Sequence, residues 1–281
     1  MKTVRKVAEI RGALQPFRIG STVGLVPTMG SFHEGHLSLF RAARAECNAV
    51  VISLFVNPAQ FGEESDLARY PRDEERDARL AEEVGVDFLF APPVDEIYPS
   101  GYQTWVEVEG VSRGLEGEFR HGHFRGVATV CLKLFAIVRP QRAYFGQKDA
   151  QQAAVVKRLV RDLELELEIR VLPTVREPDG LALSSRNVLL SPEERERALA
   201  LPRALEAGRA AFLEGADPLT AAGAELDGLA TDYLDVVDFD GQLVLAAAAH
   251  VGSVRLIDNI TLEIPSGASA WLGRTRRGEP Q

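Results

Sequence analysis

The sequence contains little cysteine and no long apolar run, and each shortage excludes a class of protein. Only two of its 281 residues are cysteine, Cys47 and Cys131, and they lie far apart in apolar surroundings. Two such thiols exclude a disulfide framework, and we expect both to be reduced core residues of a cytoplasmic protein. The apolar runs stop well short of the roughly 20 residues that a membrane helix needs, so no membrane partner is expected. Residues 1–11 mix charges with single apolar residues, which is not the pattern of a secretory signal.

Acidic residues outnumber basic ones, and most of the basic residues are arginine. The formal net charge of −9 at pH 7 argues against a general nucleic-acid scaffold, so we expect no nucleic-acid partner. Only five of the 32 basic residues are lysine, which makes a lysine inside a glycine-containing loop unusual in this chain. Four of the five histidines fall in two short stretches, at 33–36 and 121–123. Histidines scattered for packing would not be expected to pair in this way.

The segment Val26–Leu37 carries the densest functional pattern. It follows a short apolar run that predicts a buried strand, and it precedes a helix through about residue 45. His33 and His36 therefore lie at a strand-to-helix turn, with glycine at 30 and 35 to permit unusual backbone angles or a close ligand. A helix N-terminus attracts phosphate, and imidazoles can donate hydrogen bonds to its oxygens.

Other interpretations of the two histidines are weaker or less specific. They could be structural groups that are satisfied within the fold. The helical zinc-protease motif needs histidines four residues apart, whereas His33 and His36 are three apart. No Gly-Lys-Ser/Thr follows Gly30, so the segment is not a Walker loop.

Two further predicted strands end in polar residues. The apolar run 49–56 ends at Asn57 and Gln60, and the strand 142–145 ends at the segment Gly146–Asp149, which contains Lys148. Ligands bind beyond the carboxyl ends of parallel strands, so these side chains are candidates for substrate contacts. Asn57 could instead only start a turn, Asp149 could only cap a helix, and Lys148 could be a replaceable residue of its first turn.

A loop rich in cations precedes the next predicted helix. Arg120, His121, His123 and Arg125 lie within six residues, next to two glycines. A surface loop of this composition could be inert, but its place before a buried helix favours an anion site.

Alternation of strands and helices through residue 172 predicts an α/β fold with a doubly wound parallel sheet. Residues 3–19 are predicted as a helix and 104–109 as an edge strand. After turn residues at 173–180, Ser191-Pro192 marks a helix start. Alanine-rich helices and short strands near 233–239, 242–247 and 253–263 then predict a smaller α+β domain. We therefore divide the chain into domains 1–174 and 175–281, with a frayed tail at 274–281.

Five strings in order carry a resemblance to a known family. The pattern His-x-Gly-His at 33–36 is similar to that of the HIGH-type nucleotidyltransferases, and the longer pattern resembles the pantothenate synthetase (pantoate–β-alanine ligase) family. The strings are 27–37, 55–61, 123–130, 144–152 and 173–187. The resemblance implies a Rossmann-like domain carrying most of the site, a smaller domain that closes over the nucleotide, and a homodimer. It also implies that ATP with Mg²⁺ and pantoate form an acyl adenylate, from which β-alanine captures the pantoyl group.

The resemblance also assigns roles to individual residues. His36 is implied as the acid, with His33 beside it, and Lys148 and Arg186 are implied to act on phosphate. Pantoate and β-alanine contacts are implied for Gln60 and Gln152, together with Asn57 and Arg120, and a metal-linked position for Asp77. The implied ATP contacts are Met29, Gly30, Ser31, Phe32, His33, Glu34, Gly35, His36, Gly146, Gln147, Lys148, Asp149, Val175, Leu183, Ser184, Ser185 and Arg186.

The chain departs from the usual family pattern at a few positions that the chemistry does not use. Ser31-Phe32 replaces Ala-Leu, His121 replaces a common proline, and Leu183 replaces a methionine of similar volume. Two other functions compete with the family's activity. One is an adenylyltransferase that stops at a nucleotide product, which would not need the clamp of Gln60 and Gln152. The other is a non-catalytic nucleotide sensor of the same fold.

Overall fold

The computed structural model describes residues 1–62, 67–68 and 70–263 of the chain. Two compact units are present, one comprising 1–147 with 151–175, and the other 148–150 with the chain from 176 onward. The division therefore falls one residue after the predicted boundary, and the short segment around Lys148 groups with the second unit. The predicted frayed tail lies outside the described residues.

The first unit is built on a six-stranded sheet in which all neighbouring strands are parallel. Its strands are β1 Lys2–Val4, β2 Val23–Thr28, β3 Ala49–Leu54, β4 Phe88–Phe90, β5 Arg142–Gly146 and β6 Glu168–Leu172. Their order across the sheet is β1-β4-β3-β2-β5-β6. The chain first builds outward from β2 through β3 to β4, and it then continues with β5 on the other side of β2. The carboxyl ends of β2 and β5 thus flank the topological switch point, where open α/β sheets bind ligands.

Helices cover both faces of this sheet. They are α1 Val7–Ala13, α2 Glu34–Glu46, α3 Glu74–Glu83, α4 Val94–Ile97, α5 Glu116–Phe119, α6 His123–Val138 and α7 Ala150–Asp162. One apolar core contains side chains of α1, α6 and α7, and a second contains side chains of α2 and α3. The first five residues of β3 are buried, which agrees with its continuous apolar sequence. The predicted α/β fold with a doubly wound parallel sheet is confirmed.

The second unit combines helices with an antiparallel sheet. The helices are α8 Pro192–Ala198, α9 Ala200–Leu213 and α10 Pro218–Glu225, and the strands are β7 Ala230–Phe239, β8 Gln242–Val251 and β9 Val254–Thr261. As its sequence predicts, α8 begins at Ser191-Pro192. Ser191 and Glu194 form a capping box there by exchanging side-chain-to-backbone hydrogen bonds. The predicted smaller α+β unit is therefore present. Within the described residues, no helix is long and apolar enough to cross a membrane.

Two local predictions are wrong. The predicted helix over 3–19 is shorter, because residues 2–4 form β1 and pair with β4 at the sheet edge, and Val4 is buried there. Residues 104–109 form no strand, since the N–H of Val106 donates to the Thr129 hydroxyl of α6 at 3.0 Å instead of to another strand. The structure of both segments depends on strand pairing or side-chain contacts with residues far away in the sequence. The periodicity of a short segment does not contain that information.

Gly126 lets the first turn of α6 approach the 3₁₀ turn Pro58–Gln60 closely. A Cβ atom at Gly126 would lie 2.3 Å from the Ala59 carbonyl oxygen and 2.7 Å from the Gln60 nitrogen. We therefore expect Gly126→Ala to lower the free energy of unfolding by about 1–3 kcal/mol through overpacking. Denaturant titration measures this change.

Gly12→Ala is the matched control for that substitution. Gly12 is an exposed residue of α1, and an added Cβ would meet nothing within 4 Å. Because alanine is the better helix former, this control is expected to gain about 0.5–1 kcal/mol. Equal stability of the two variants would contradict the close packing assigned to Gly126.

Candidate active site

The turn between β2 and α2 has an unusual backbone. Gly30 has a φ of 90° and Ser31 a φ of 56°, so two consecutive residues are in the left-handed half of backbone space. A side chain is rarely tolerated there, which explains the glycine at position 30. A Cβ on Gly30 would also lie 3.0 Å from Oδ2 of Asp77, leaving little room for one.

The carboxylate of Asp77 holds this turn in place from α3. Its Oδ2 accepts the N–H of Ser31 at 2.7 Å, and its Oδ1 accepts the N–H of Phe32 at 2.8 Å. The guanidinium of Arg76 donates to the Phe32 carbonyl at 3.0 Å. Burial raises the pKa of the Asp77 carboxyl, whereas the two N–H donors and Arg76 lower it. Two neighbouring residues of α3 thus fix both peptide groups that flank the turn.

Both histidines of the turn are oriented by backbone N–H groups. His33 caps α2, and its Nδ1 accepts the N–H of Gly35 at 3.2 Å. The Nδ1 of His36 accepts the N–H of His33 at 3.4 Å, and the two rings lie 4.2 Å apart between centroids. A neutral imidazole that accepts at Nδ1 carries its proton on Nε2. Each ring can therefore donate from Nε2.

The other residues of the segment 29–36 differ in where they lie. The ring of Phe32 is buried against Phe40, with centroids 5.0 Å apart, so Phe32 belongs to the core. Glu34 is exposed and pairs with Arg41. Met29 extends toward the next strand end, where its sulfur contacts Nε2 of Gln60 at 3.2 Å. The Gly35 N–H at the start of α2 is already bonded by His33.

Asn57 and Gln60, at the end of β3, form one hydrogen-bonded unit. Nδ2 of Asn57 donates to Oε1 of Gln60 at 2.9 Å and to the Gly126 carbonyl at 3.1 Å. Its Oδ1 accepts the Ala59 N–H at 3.3 Å and the Tyr98 hydroxyl at 3.0 Å. These four bonds use the full capacity of the Asn57 carboxamide. Asn57, expected as a substrate contact, therefore supports Gln60.

The cations that the sequence places in one loop at 120–125 have separate partners, and α6 begins among them at His123. His123 is buried, and its Nδ1 donates to the Gln60 carbonyl at 2.9 Å. Arg125 lies over the ring of Trp105 at 4.8 Å. Arg120, an expected substrate contact, pairs with the buried Glu116 at 3.5 Å. The sequence predicted a shared anion site, but at least three of these side chains have separate protein partners.

The neighbours Gln151 and Gln152 occupy different environments on α7. Gln152, an expected substrate contact, is half-buried. Gln151 is buried, accepts the Glu116 N–H at 3.0 Å, and donates to the carbonyls of Val111 and Gly114 at 3.1 Å each. No role is predicted for Gln151 from the sequence. The structure shows that it anchors the loop that carries Glu116.

In the second unit, a buried asparagine holds the backbone at Lys148. Nδ2 of Asn259 donates to the Lys148 carbonyl at 2.8 Å. The Lys148 ammonium lies 3.9 Å from the carboxylate of Asp149, too far for a hydrogen bond. Gly146, at the end of β5 in the first unit, would meet nothing within 4 Å if it carried a Cβ. Its neighbour Gln147 begins the 3₁₀ turn Gln147–Asp149.

An ion pair with a buried carboxylate fixes the loop of the second unit that contains the expected phosphate contacts. Arg176 donates to both oxygens of Asp258, at 2.6 and 3.1 Å. Burial raises the pKa of Asp258, and the hydrogen bonds and charge of Arg176 oppose that shift. The buried Asn187 donates to Glu177 at 2.9 Å and to the Ala182 carbonyl at 3.0 Å.

Together these bonds tie down both ends of the segment between Arg176 and Asn187. The expected ATP contacts Leu183, Ser184, Ser185 and Arg186 lie inside it and are all half-buried. The Arg186 N–H donates to the Ser184 hydroxyl at 3.2 Å. The remaining expected ATP contact, Val175, is half-buried and is the last residue of the first unit.

Asp77 does not fit the metal role that the resemblance implies. Both of its oxygens accept backbone N–H groups, and its side chain is 1% exposed. Among the described residues, no three histidine, cysteine, aspartate or glutamate side chains group in a way that could hold a metal ion. These contacts favour a positioning role for Asp77.

Comparisons with known proteins identify the family of the chain. A family profile described as Pantoate-beta-alanine ligase matches residues 2–261. The chain belongs to this family. The pantothenate synthetase of Acidobacterium capsulatum is 52% identical to it over 290 residues, covering 93% of this chain and 97% of that protein. That of Moorella thermoacetica is 52% identical over 281 residues, covering 94% and 99%.

Solved structures of the family have the same architecture. The pantothenate synthetase of Thermus thermophilus has a TM-score of 0.89 at 48% identity, covering 94% of this chain and all of that one. A pantoate-beta-alanine ligase from Francisella tularensis, complexed with beta-gamma ATP and beta-alanine, has a TM-score of 0.81 at 34% identity, covering 94% and 98%. This family membership covers both units of the chain.

Asp77 holds the turn that contains His33 and His36 through two hydrogen bonds, which we call the Asp77 clamp on the histidine turn. This clamp predicts a specific loss of stability in Asp77→Asn. Asparagine would place an N–H₂ donor opposite the N–H of Ser31 or Phe32, which leaves a buried donor without an acceptor. We expect the free energy of unfolding to fall by about 1–3 kcal/mol. Asp73→Asn is the matched control, because Asp73 caps the same helix and asparagine caps equally well. Equal stability of both variants in a denaturant titration would refute the clamp.

Proposed function

We propose that this chain is an AMP-forming pantoate–β-alanine ligase. It condenses pantoate with β-alanine to pantothenate, at the expense of ATP, which becomes AMP and pyrophosphate. The observation that carries the proposal is the pair His33 and His36 at the topological switch point of the sheet, in the turn whose Met29 contacts the amide of Gln60. This arrangement combines donors suited to phosphate with a donor suited to a carboxylate or hydroxyl group.

The first half-reaction joins pantoate to AMP. A carboxylate oxygen of pantoate attacks the α-phosphorus of ATP, the bond to the β-phosphate breaks, and pyrophosphate leaves with that electron pair. Negative charge builds on the phosphate oxygens during the transfer, and donors already in place stabilise it without reorganisation. Because both imidazoles accept at Nδ1, their Nε2–H groups are the donors that we assign to this task. We assign Lys148 and Arg186 to the phosphates on the strength of their family motifs.

The second half-reaction needs no covalent bond to the protein. The amine of β-alanine attacks the carbonyl carbon of the adenylate, the bond from carbon to the bridging oxygen breaks, and AMP leaves with that electron pair. The attacking nitrogen releases one proton to solvent and becomes the amide nitrogen. The proposal assigns Gln60 and Gln152 to the polar groups of pantoate. An enzyme that stops at a nucleotide product would not need two carboxamides in addition to the histidine turn.

Magnesium, the homodimer and the cytoplasmic location remain proposals that rest on the resemblance and on composition. Mg²⁺ is held in many sites by substrate phosphates and water with few protein ligands, so we propose that it arrives with ATP. The Asp77 oxygens already accept two backbone N–H groups, so we do not assign Asp77 as a ligand of this ion. Both cysteines are buried and form no disulfide, which is compatible with a reducing compartment.

An enzyme-bound adenylate predicts that pyrophosphate exchanges into ATP without any amine. Enzyme, ATP, Mg²⁺ and pantoate should convert labelled pyrophosphate into labelled ATP, because the first half-reaction is complete and reversible before β-alanine binds. Omitting pantoate is the control and should abolish the exchange. Exchange that appears only after β-alanine is added would contradict a separate adenylation step.

The assignment of Lys148 predicts a loss of activity without a loss of stability. Lys148→Ala removes a charge from phosphate while the backbone contact from Asn259 remains, so single-turnover adenylate formation should fall about a hundredfold to a thousandfold. Lys148→Arg should also be impaired, since a wide guanidinium does not replace a point charge. Lys157→Ala, at an exposed site on α7, is the control. Adenylation by Lys148→Ala at the rate of this control would refute the assignment.

A further inference from the structure

Tyr98 lies outside the sequence motifs of the site, yet its hydroxyl contacts Asn57, which supports Gln60. Tyr98 follows α4, and its backbone N–H donates to the Val94 carbonyl at 2.7 Å. Its hydroxyl reaches Oδ1 of Asn57 at 3.0 Å, across 41 positions of sequence. Burial raises the pKa of Tyr98, so the phenol stays protonated at neutral pH and donates this hydrogen bond.

The ring of Tyr98 is held by an aromatic cluster, which gives the hydroxyl a fixed direction. It stacks on Trp105 with centroids 5.8 Å apart, and it meets Tyr102 edge-on at 5.1 Å. The ammonium of Lys133 lies 5.6 Å from the centre of the Tyr98 ring and 4.3 Å from that of Tyr102. Aromatic pairs and a cation over two rings resist rotation of the side chain.

This hydroxyl is one of the partners that orient two carboxamides. A carboxamide can turn by half a rotation and exchange its oxygen with its nitrogen, so only its partners decide which end points where. The Tyr98 O–H and the Ala59 N–H are both donors, so they select the oxygen of Asn57. Its nitrogen then faces two acceptors, the Gly126 carbonyl and Gln60. That nitrogen then selects Oε1 of Gln60 at 2.9 Å.

The consequence is that Gln60 presents its N–H₂ end at Met29. The contact from Nε2 to the Met29 sulfur at 3.2 Å uses a weak acceptor, so an oxygen of a bound substrate would be a better partner. Gln60 is 7% exposed and its backbone carbonyl is fixed by His123, so the side chain has little freedom to choose another direction. A flipped Gln60 would offer an oxygen to a carboxylate and repel it.

We propose that Tyr98 is a positioning residue for pantoate. Its hydroxyl acts through Asn57 to turn the donor end of Gln60 toward the substrate, and this path from Tyr98 to Gln60 is called the relay. This inference rests on the proposed function in one respect, namely that Gln60 binds pantoate. Tyr98 itself touches no substrate. Its effect is therefore confined to the affinity for the ligand of Gln60, and it does not extend to ATP.

Tyr98→Phe is the direct test, because it removes the hydroxyl and retains the ring. We expect the KM for pantoate to rise about threefold to tenfold, the cost of one lost hydrogen bond, while the KM for ATP stays the same. Tyr102→Phe removes a hydroxyl from the same aromatic cluster and serves as the control, with both constants unchanged. Loss of this hydrogen bond to the buried Asn57 should also lower the melting temperature of Tyr98→Phe, so the two KM values decide the test. A general loosening of the cluster would raise the KM for ATP as well as the KM for pantoate, and that result would overturn the relay.

A double-mutant cycle with Gln60→Ala separates the relay from the proposed function. Gln60→Ala alone should raise the KM for pantoate, and adding Tyr98→Phe to it should change nothing further, since the relay no longer has an end point. If Gln60→Ala raises this KM but Tyr98→Phe does not, or if the two effects add, the relay is wrong and the proposed function stands. An unchanged KM for pantoate in Gln60→Ala would overturn both the relay and the substrate role of Gln60.

Discussion

The N–H groups of Ser31 and Phe32 point at one buried carboxylate, that of Asp77, and the shape of the histidine turn depends on this contact. A backbone with positive φ at Gly30 and Ser31 is costly by itself and persists only where its surroundings determine it. Asp77 supplies that determination from α3, an element remote in sequence. Moving the turn would strand two backbone donors and a buried charge, so the positions of His33 and His36 follow from the clamp.

A second layer of support fixes direction as well as position. Each histidine accepts at Nδ1, and Asn57 makes all four of its bonds to protein partners. These bonds settle which nitrogen carries a proton and which end of a carboxamide donates. In the second unit, Arg176 and Asp258 play a comparable part for the segment that contains Arg186. An ion pair with a buried carboxylate contributes little to overall stability, but removing one partner is costly. This cost restricts the loop to one arrangement.

The sequence predicted the parts of the fold that local pattern determines. The run of β-branched residues in β3, the helix start at Ser191 and the place of the histidine turn between a strand and a helix all follow from spacing and residue type. It did not predict contacts between residues far apart in the chain. Asp77 reaches Ser31 across 46 positions and Arg176 reaches Asp258 across 82, and neither pair leaves a periodic trace. Tyr98 was missed for the same reason, and the partners of Arg120, His123 and Arg125 were not visible in the sequence either.

In the proposed reaction, AMP is transferred to the carboxylate of pantoate before the amide bond forms. Labelling that carboxylate with oxygen-18 tests it most directly. If the carboxylate attacks the α-phosphorus and the bridging oxygen leaves with AMP, then mass spectrometry of the products will find one heavy oxygen in AMP and none in pyrophosphate. AMP without the label, or label in pyrophosphate, would contradict the claim.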